Sequence, residues 1–217
     1  MRYFDLNIEK VLESWSNADA VREIIANALD EKLLTKTKDI EIFKDNTNKW
    51  HSVDFGRGIQ SKHFTQNENP EKQNAKNLIG KFGVGLKDAL GVLFNNGIRV
   101  TIDSKYGHIT LQMAQKEGFS IKTLHAVFDE PINSNRVGTE FVFAGLKDQD
   151  VEEAKRMFLV FNHETLLETT GYGQVYLRLP NHPAYIYING VRVAEEDNFL
   201  FSYNITELNA KIKNNEA

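Results

Sequence analysis

Between Ala18 and about Leu34 the apolar residues Val21, Ile24, Ile25, Ala28 and Leu29 return at helical spacing, and Ser16 or Asn17 precedes them as an N-cap. A first helix is expected there. Two strand-like runs follow, Ile40 to Phe43 and Trp50 to Phe55, and the turn-forming string Asp45-Asn46-Thr47-Asn48 between them predicts a hairpin. From Gln60 to Leu78 the chain turns polar, with no apolar period long enough to anchor a core element. A second helix is expected after Gly85, where Leu86, Ala89, Leu90 and Leu93 share one side and Gly97 closes the run. Four strand candidates come next, Ile98 to Ile102, His108 to Ala114, Ile121 to Val127 and Thr139 to Ala144, read as a meander of mostly antiparallel neighbours. A third helix is predicted from about Asp150 to Phe161. Strands return at Val175 to Leu179, Ala184 to Ile188 and Phe199 to Tyr203, and Asn189-Gly190 is a two-residue hairpin signal.

This order predicts an α+β fold, a two-layer sandwich of a mostly antiparallel mixed sheet with helices on one face. The strict alternation of a doubly wound parallel sheet is missing. A chain of 217 residues with 41% apolar content can bury a core, which excludes a disordered or fibrous protein. Its formal charge of -4 argues against a broad nucleic-acid footprint, and direct nucleic-acid binding is not expected. The opening MRYFDLNIEK lacks the layout of a secretory signal and no run is long and apolar enough to span a bilayer, so no membrane partner and a cytoplasmic location are expected. With no cysteine, thiolate catalysis, disulfides and cysteine-held metals are excluded. The histidines show no metal-ligand spacing and are expected to be surface or core residues. Residues 211–217 are expected to fray or to mark a cut in a longer chain.

Three constellations could carry chemistry. On the polar side of the first helix Glu23, Asn27 and Asp30 follow at spacings of four and three, so a carboxylate able to orient water projects beside a carboxamide able to ligate a hard cation. A solvated helix face is the commoner origin of such a triplet. The string Asp54-Phe55-Gly56-Arg57-Gly58 puts an acceptor at a strand end, followed by glycines that let a ligand approach the backbone; an ordinary strand-terminating turn is the more frequent origin of such a string in isolation. The third constellation, Gly80-Lys81-Phe82-Gly83-Val84-Gly85-Leu86-Lys87, opens a helix with bare backbone N–H groups and so suits an anion, or merely permits close packing. It lacks the spacing of a Walker loop and is not preceded by the strand that a Rossmann turn requires.

In this order the constellations resemble the GHKL or Bergerat-fold ATP-binding superfamily of gyrase B, MutL, heat-shock chaperones and histidine kinases, with microrchidia-like and chaperone-like members nearest. The matching strings are Glu23 to Asn27-Ala28, Asp54-x-Gly56-x-Gly58, Gly80-x-x-Gly83-x-Gly85 and Gly138-Thr139. The resemblance implies ATP and Mg²⁺ as cofactors, with Asn27 as the metal ligand and Glu23 as the catalytic residue that positions water. Asp54 would accept from the adenine amino group, with Thr139 in support through water, while Gly56 and Gly58 shape the base pocket. Gly80, Gly83, Val84, Gly85, Leu86 and Lys87 would meet the phosphates, although Lys87 reads equally as a surface lysine.

The resemblance covers roughly Ala18 to Ala144; the expected organisation is a core at 1–145 with an ATP lid at about 60–79, followed by a helix-and-strand extension at 146–217 packed on the same domain. The expected function is a Mg²⁺-dependent ATPase module that couples nucleotide state to lid closure and to association with a second copy or a protein partner. A non-hydrolysing sensor or scaffold is the alternative, since the transducer-borne cation of such ATPases has no counterpart after Ala144. A histidine kinase-type catalytic domain is a further one, though no helical hairpin with a phospho-acceptor histidine precedes the core.

Overall fold

The structure is a computed structural model and describes residues 1–6, 8, 15–65, 78–79 and 85–207. Helix α1 (Asn17–Thr35) starts where Ser16 supplies a complete capping box: its hydroxyl accepts from the Asp19 N–H at 3.1 Å, and Asp19 accepts in return from the Ser16 N–H at 2.9 Å. Lys36 ends the helix in the left-handed conformation. Strand β1 (Arg2–Asp5), the hairpin β2 (Glu41–Lys44) and β3 (Trp50–Val53), the one-turn helix α2 (Lys62–Thr65) and helix α3 (Gly85–Asn95) complete the first half. Then come β4 (Arg99–Ser104), β5 (Gly107–Gln115), β6 (Lys122–Asp129), β7 (Thr139–Ala144) and α4 (Asp148–Arg156).

Strands β1 to β7 form one sheet in the order β1-β6-β5-β4-β7-β3-β2, antiparallel at every step. Period-two burial along β4 and β7 gives the sheet its inner face: Val100, Ile102 and Ser104 are buried and lie opposite Phe143, Phe141 and Thr139. Helices α1 and α3 pack on each other and reach the sheet at β3 and β4. The buried side of α1 carries Val21, Ile24 and Ile25, and that of α3 carries Ala89, Leu90 and Leu93. Each such large apolar side chain contributes about 1.5–3 kcal/mol when taken out of water.

The chain divides into two compact units, Met1–Glu152 and Glu153–Ala217. The second has its own sheet, built from β8 (Thr165–Thr169), β9 (Gly173–Leu177), β10 (Ala184–Ile188), β11 (Val191–Glu196) and β12 (Phe201–Ile205) in the order β11-β10-β12-β9-β8. It is mixed, because β10 and β12 run parallel. The Asn189-Gly190 signal holds: both residues have positive φ, 50° and 82°, and join β10 to β11.

The α+β expectation is met, with differences in detail. The last expected strand of the meander leaves it, since β7 lies against β4 and β3 and not beside β6. The C-terminal strands make a separate sheet in place of a continuation. The third helix stops at Arg156, and a 3₁₀ turn, Leu159–Phe161, replaces its last part. Within the polar segment, Phe64 is fully buried and meets Phe128 edge-on at 5.4 Å, so this stretch does anchor in the core. The glycine-rich residues 80–84, most of the expected lid (66–77) and the tail expected to fray (211–217) lie outside the described residues.

Removing the capping hydroxyl tests how far α1 depends on local chemistry. Ser16→Ala is expected to lower unfolding stability by about 1 kcal/mol, read as an earlier urea midpoint at unchanged slope.

Candidate functional site

Asp54 leaves the end of β3 with its backbone N–H donating to the Thr139 carbonyl at 2.9 Å, and so stays tied to β7 beyond the last ladder pair. Its Oδ1 accepts from the Gly56 N–H at 2.9 Å, an Asx turn that folds the corner back on itself. The Thr139 hydroxyl bonds directly to the Asp54 side chain and accepts from the Ile59 N–H at 3.0 Å. Ser104, at the end of β4, donates to the Ile59 carbonyl at 2.8 Å. Two strand ends thus hold one loop. Asp54 is only 6% exposed, and burial raises its pKa above the ordinary carboxylate value, with the nearby Glu31 charge adding to the effect and the hydrogen bonds from Gly56 and Thr139 opposing it.

Helix α1 faces this corner with a stripe of Glu23, Asn27 and Glu31, each one turn from the next. Glu31 Oε1 accepts from both the backbone N–H and the Nε–H of Arg57 at 2.8 Å, and its Oε2 accepts from Nη2 at 2.8 Å. The stem of Glu31 lies so close to Gly56 that a Cβ there would overlap it. At the other end of the stripe Glu23 Oε2 presses on Gly85, the first residue of α3. Asn27 lies between these contacts and donates its Nδ2 to the Glu23 carbonyl at 2.8 Å. Asp30 is fully buried and accepts from the Ile79 N–H at 2.7 Å, which fastens the start of the glycine-rich stretch to α1.

Of the expected site residues, the fold therefore gathers Glu23, Asn27, Asp54, Gly56, Gly58, Gly85 and Thr139 around one flank of α1. Leu86 and Lys87 follow in the first turn of α3, where Lys87 is 8% exposed and is no surface lysine. Gly80, Gly83 and Val84 lie outside the described residues. Thr139 stands beside Asp54, its side chain among the hydrogen-bonding neighbours of that carboxylate. Glu31, Arg57 and Ser104 belong to the site without having been singled out; the continued four-residue spacing from Asn27 to Glu31 was the readable signal.

A protein of Mycoplasma pneumoniae (strain ATCC 29342 / M129 / Subtype 1), described as uncharacterized, is 39% identical over 219 residues, covering 98% of this chain and 87% of its own length. The chain belongs to this mycoplasma family. A second M. pneumoniae protein, also described as uncharacterized, is 35% identical over 79 residues, 36% of this chain and 22% of its own length. The family model for the Mycoplasma pneumoniae MPN635 N-terminal domain matches residues 149–216, nearly the whole of the second unit.

Among solved structures, the ATPase region of Saccharomyces cerevisiae topoisomerase II is 11% identical with a TM-score of 0.45, over 81% of this chain. The Aquifex aeolicus MutL ATPase domain complexed with ADP is 13% identical with a TM-score of 0.39, over 90% of this chain and 92% of its own. The chain spans 61% of the topoisomerase region. At these scores the likeness is one of broad layout alone.

The two glycine contacts predict opposite outcomes for the same substitution. In Gly85→Ala the new methyl meets the end of a flexible glutamate, so thermal stability is expected to change little while Glu23 is displaced. Gly138 has φ +76° and its Cβ would overlap the Asp54 backbone carbonyl, so Gly138→Ala is expected to lower the melting temperature by several degrees. Equal melting curves for the two variants would contradict the corner geometry.

Proposed function

We propose that this chain is a GHKL-type module that binds ATP with Mg²⁺ and hydrolyses it, with nucleotide state governing closure of the segment at 60–79 and association with a second copy or a protein partner. The observation that carries this reading is the buried, doubly hydrogen-bonded Asp54 carboxylate, set on a glycine corner beside α1. An acceptor fixed in this way suits the exocyclic amine of adenine, because a base without that donor leaves a buried carboxylate unmatched. Gly56 and Gly58 keep side chains out of the approach, and Thr139 holds the carboxylate in position.

The site also suits a hard cation. The Asn27 nitrogen donates to the Glu23 carbonyl, and the carboxamide oxygen is the end of the side chain that suits a hard cation. No group of three or more His, Asp or Glu among the described residues is spaced to hold a metal unaided, so phosphate oxygens would complete the shell. When bound, Mg²⁺ supplies charge that draws electron density from the phosphates. Gly80, Gly83, Val84, Gly85, Leu86 and Lys87 give backbone amides and a cation along the chain of phosphates. Glu23 orients a water and takes its proton as the water oxygen bonds to the γ-phosphorus; the bond to the bridging oxygen breaks, leaving ADP and phosphate.

One observation favours the sensor reading beside it. Glu23 Oε1 is engaged by Arg22 at 2.5 Å, so the proposed base is occupied in this structure.

Asp54→Asn is expected to abolish ATP binding by calorimetry while Glu23→Ala binds ATP and releases no phosphate. Stability separates the binding role of Asp54 from a structural one. Because its folded pKa lies above the unfolded value near 3.8, Asp54 contributes stability that is complete below that value and is lost as pH rises through the folded pKa. Asp54→Asn should therefore match or exceed the parent in melting temperature at neutral pH, with the advantage shrinking as the pH falls toward 4.

A further inference from the structure

Among the described residues, Arg22 Nε, Ser52 Oγ, Thr123 Oγ1, Glu164 Oε2 and Asn189 Oδ1 are buried polar atoms with no hydrogen-bond partner. Of these, Arg22 Nε belongs to a side chain that donates directly to Glu23 of the site described above. A buried donor on a cation is costly to leave unmatched, and such a group calls for an acceptor supplied from outside the fold. The Arg22 guanidinium donates through Nη2 to Glu23 Oε1, lies 6.0 Å from the Trp15 ring centroid, and belongs to a side chain 31% exposed. The other oxygen of the same carboxylate presses on Gly85 at the head of α3. A cation with an unmet donor therefore stands one carboxylate away from the head of α3.

We propose that Arg22 reads the terminal phosphate of a nucleoside triphosphate. This inference rests on the ATP-binding reading and adds a specificity-determining residue to it. A phosphate oxygen at this place satisfies Nε–H and competes with Glu23 for Nη2–H, so the arginine turns from the carboxylate to the phosphate and Glu23 is released. The planar fork of arginine is suited to this exchange, since it can meet two oxygens at once where a lysine presents a single charged point. A diphosphate lacks the group that draws Arg22 away. The site then distinguishes ATP from ADP with a residue of its own chain, supplying a cation that would otherwise have to come from another domain.

The test is calorimetric titration of Mg-ATP and Mg-ADP into the full chain and into Arg22→Gln and Arg22→Lys, with melting curves alongside. Arg22→Gln is expected to weaken ATP binding about tenfold or more while ADP binding stays as in the parent, and Arg22→Lys is expected to fall between. Unchanged ADP affinity serves as the check on folding. If Arg22→Gln does not fold, the ATP-to-ADP ratio of Arg22→Lys decides. A parent chain that binds both nucleotides and variants that keep its affinity ratio would overturn this role and leave the ATP-binding reading standing. A parent chain that binds neither would remove both.

Discussion

The site depends on two places where a side chain of α1 comes against bare backbone, Glu31 on Gly56 and Glu23 on Gly85. Neither approach tolerates a Cβ without movement. Together they set the distance between the strand-end corner and the head of α3, with Asn27 midway along the helix between them. A helix rises 1.5 Å per residue, so the eight residues from Glu23 to Glu31 span about 12 Å, comparable with the reach from a purine to its phosphates. The spacing of carboxamide and carboxylate is thus a property of one rigid helix, and the Glu31 contact with Gly56 brings the Asp54 corner against it.

The corner itself is an arrangement of opposing costs. Burying the Asp54 carboxylate is unfavourable, and its raised pKa is the sign of that penalty. Gly56 N–H and the Thr139 hydroxyl recover part of it, while Thr139 also receives Ile59 and Ser104 receives Tyr106. Arg57 balances Glu31 on the solvent side through two side-chain hydrogen bonds as well as its own amide. A loop that served only to turn the chain would have no need of a buried acid, since an asparagine accepts the same Gly56 N–H without the desolvation penalty. That excess of chemistry over structural need is what separates this corner from an ordinary turn.

Much of this was legible beforehand, for physical reasons that differ by element. The period of α1, its Ser16 cap and the Asn189-Gly190 turn are local signals and read directly. Strand β7 was found within its bounds, yet its place between β4 and β3 is a long-range pairing that no window of sequence contains. Edge strands β1 and β8 passed unnoticed because exposure on most positions removes the alternation that marks a strand; every residue of β8 is exposed. Phe64 was missed for the opposite reason, being a single buried ring in a polar stretch with no periodic neighbours. At the site, Glu23, Asn27 and Asp54 could be named from residue type and spacing. The burial of Lys87 could not, since lysine is among the residues least often found inside.

The position of Glu23 has a consequence for how binding and chemistry would be linked. Its carboxylate stands at the N-terminal end of α3, where the helix dipole favours an anion. A phosphate arriving at the same end would compete for the same field, and two anions a few ångströms apart repel by about 1 kcal/mol in water and several times that in a partly buried site. That repulsion has to be offset by cations between them. Asn27 alone brings no charge, so Lys87 and Arg22, with Mg²⁺ on the proposed reading, would be the groups able to do it. On the proposed reading, Glu23 would therefore differ from a base held ready in a neutral pocket. Its freedom to act would depend on how the arriving phosphate redistributes the surrounding positive charge, and triphosphate and diphosphate differ most in that redistribution.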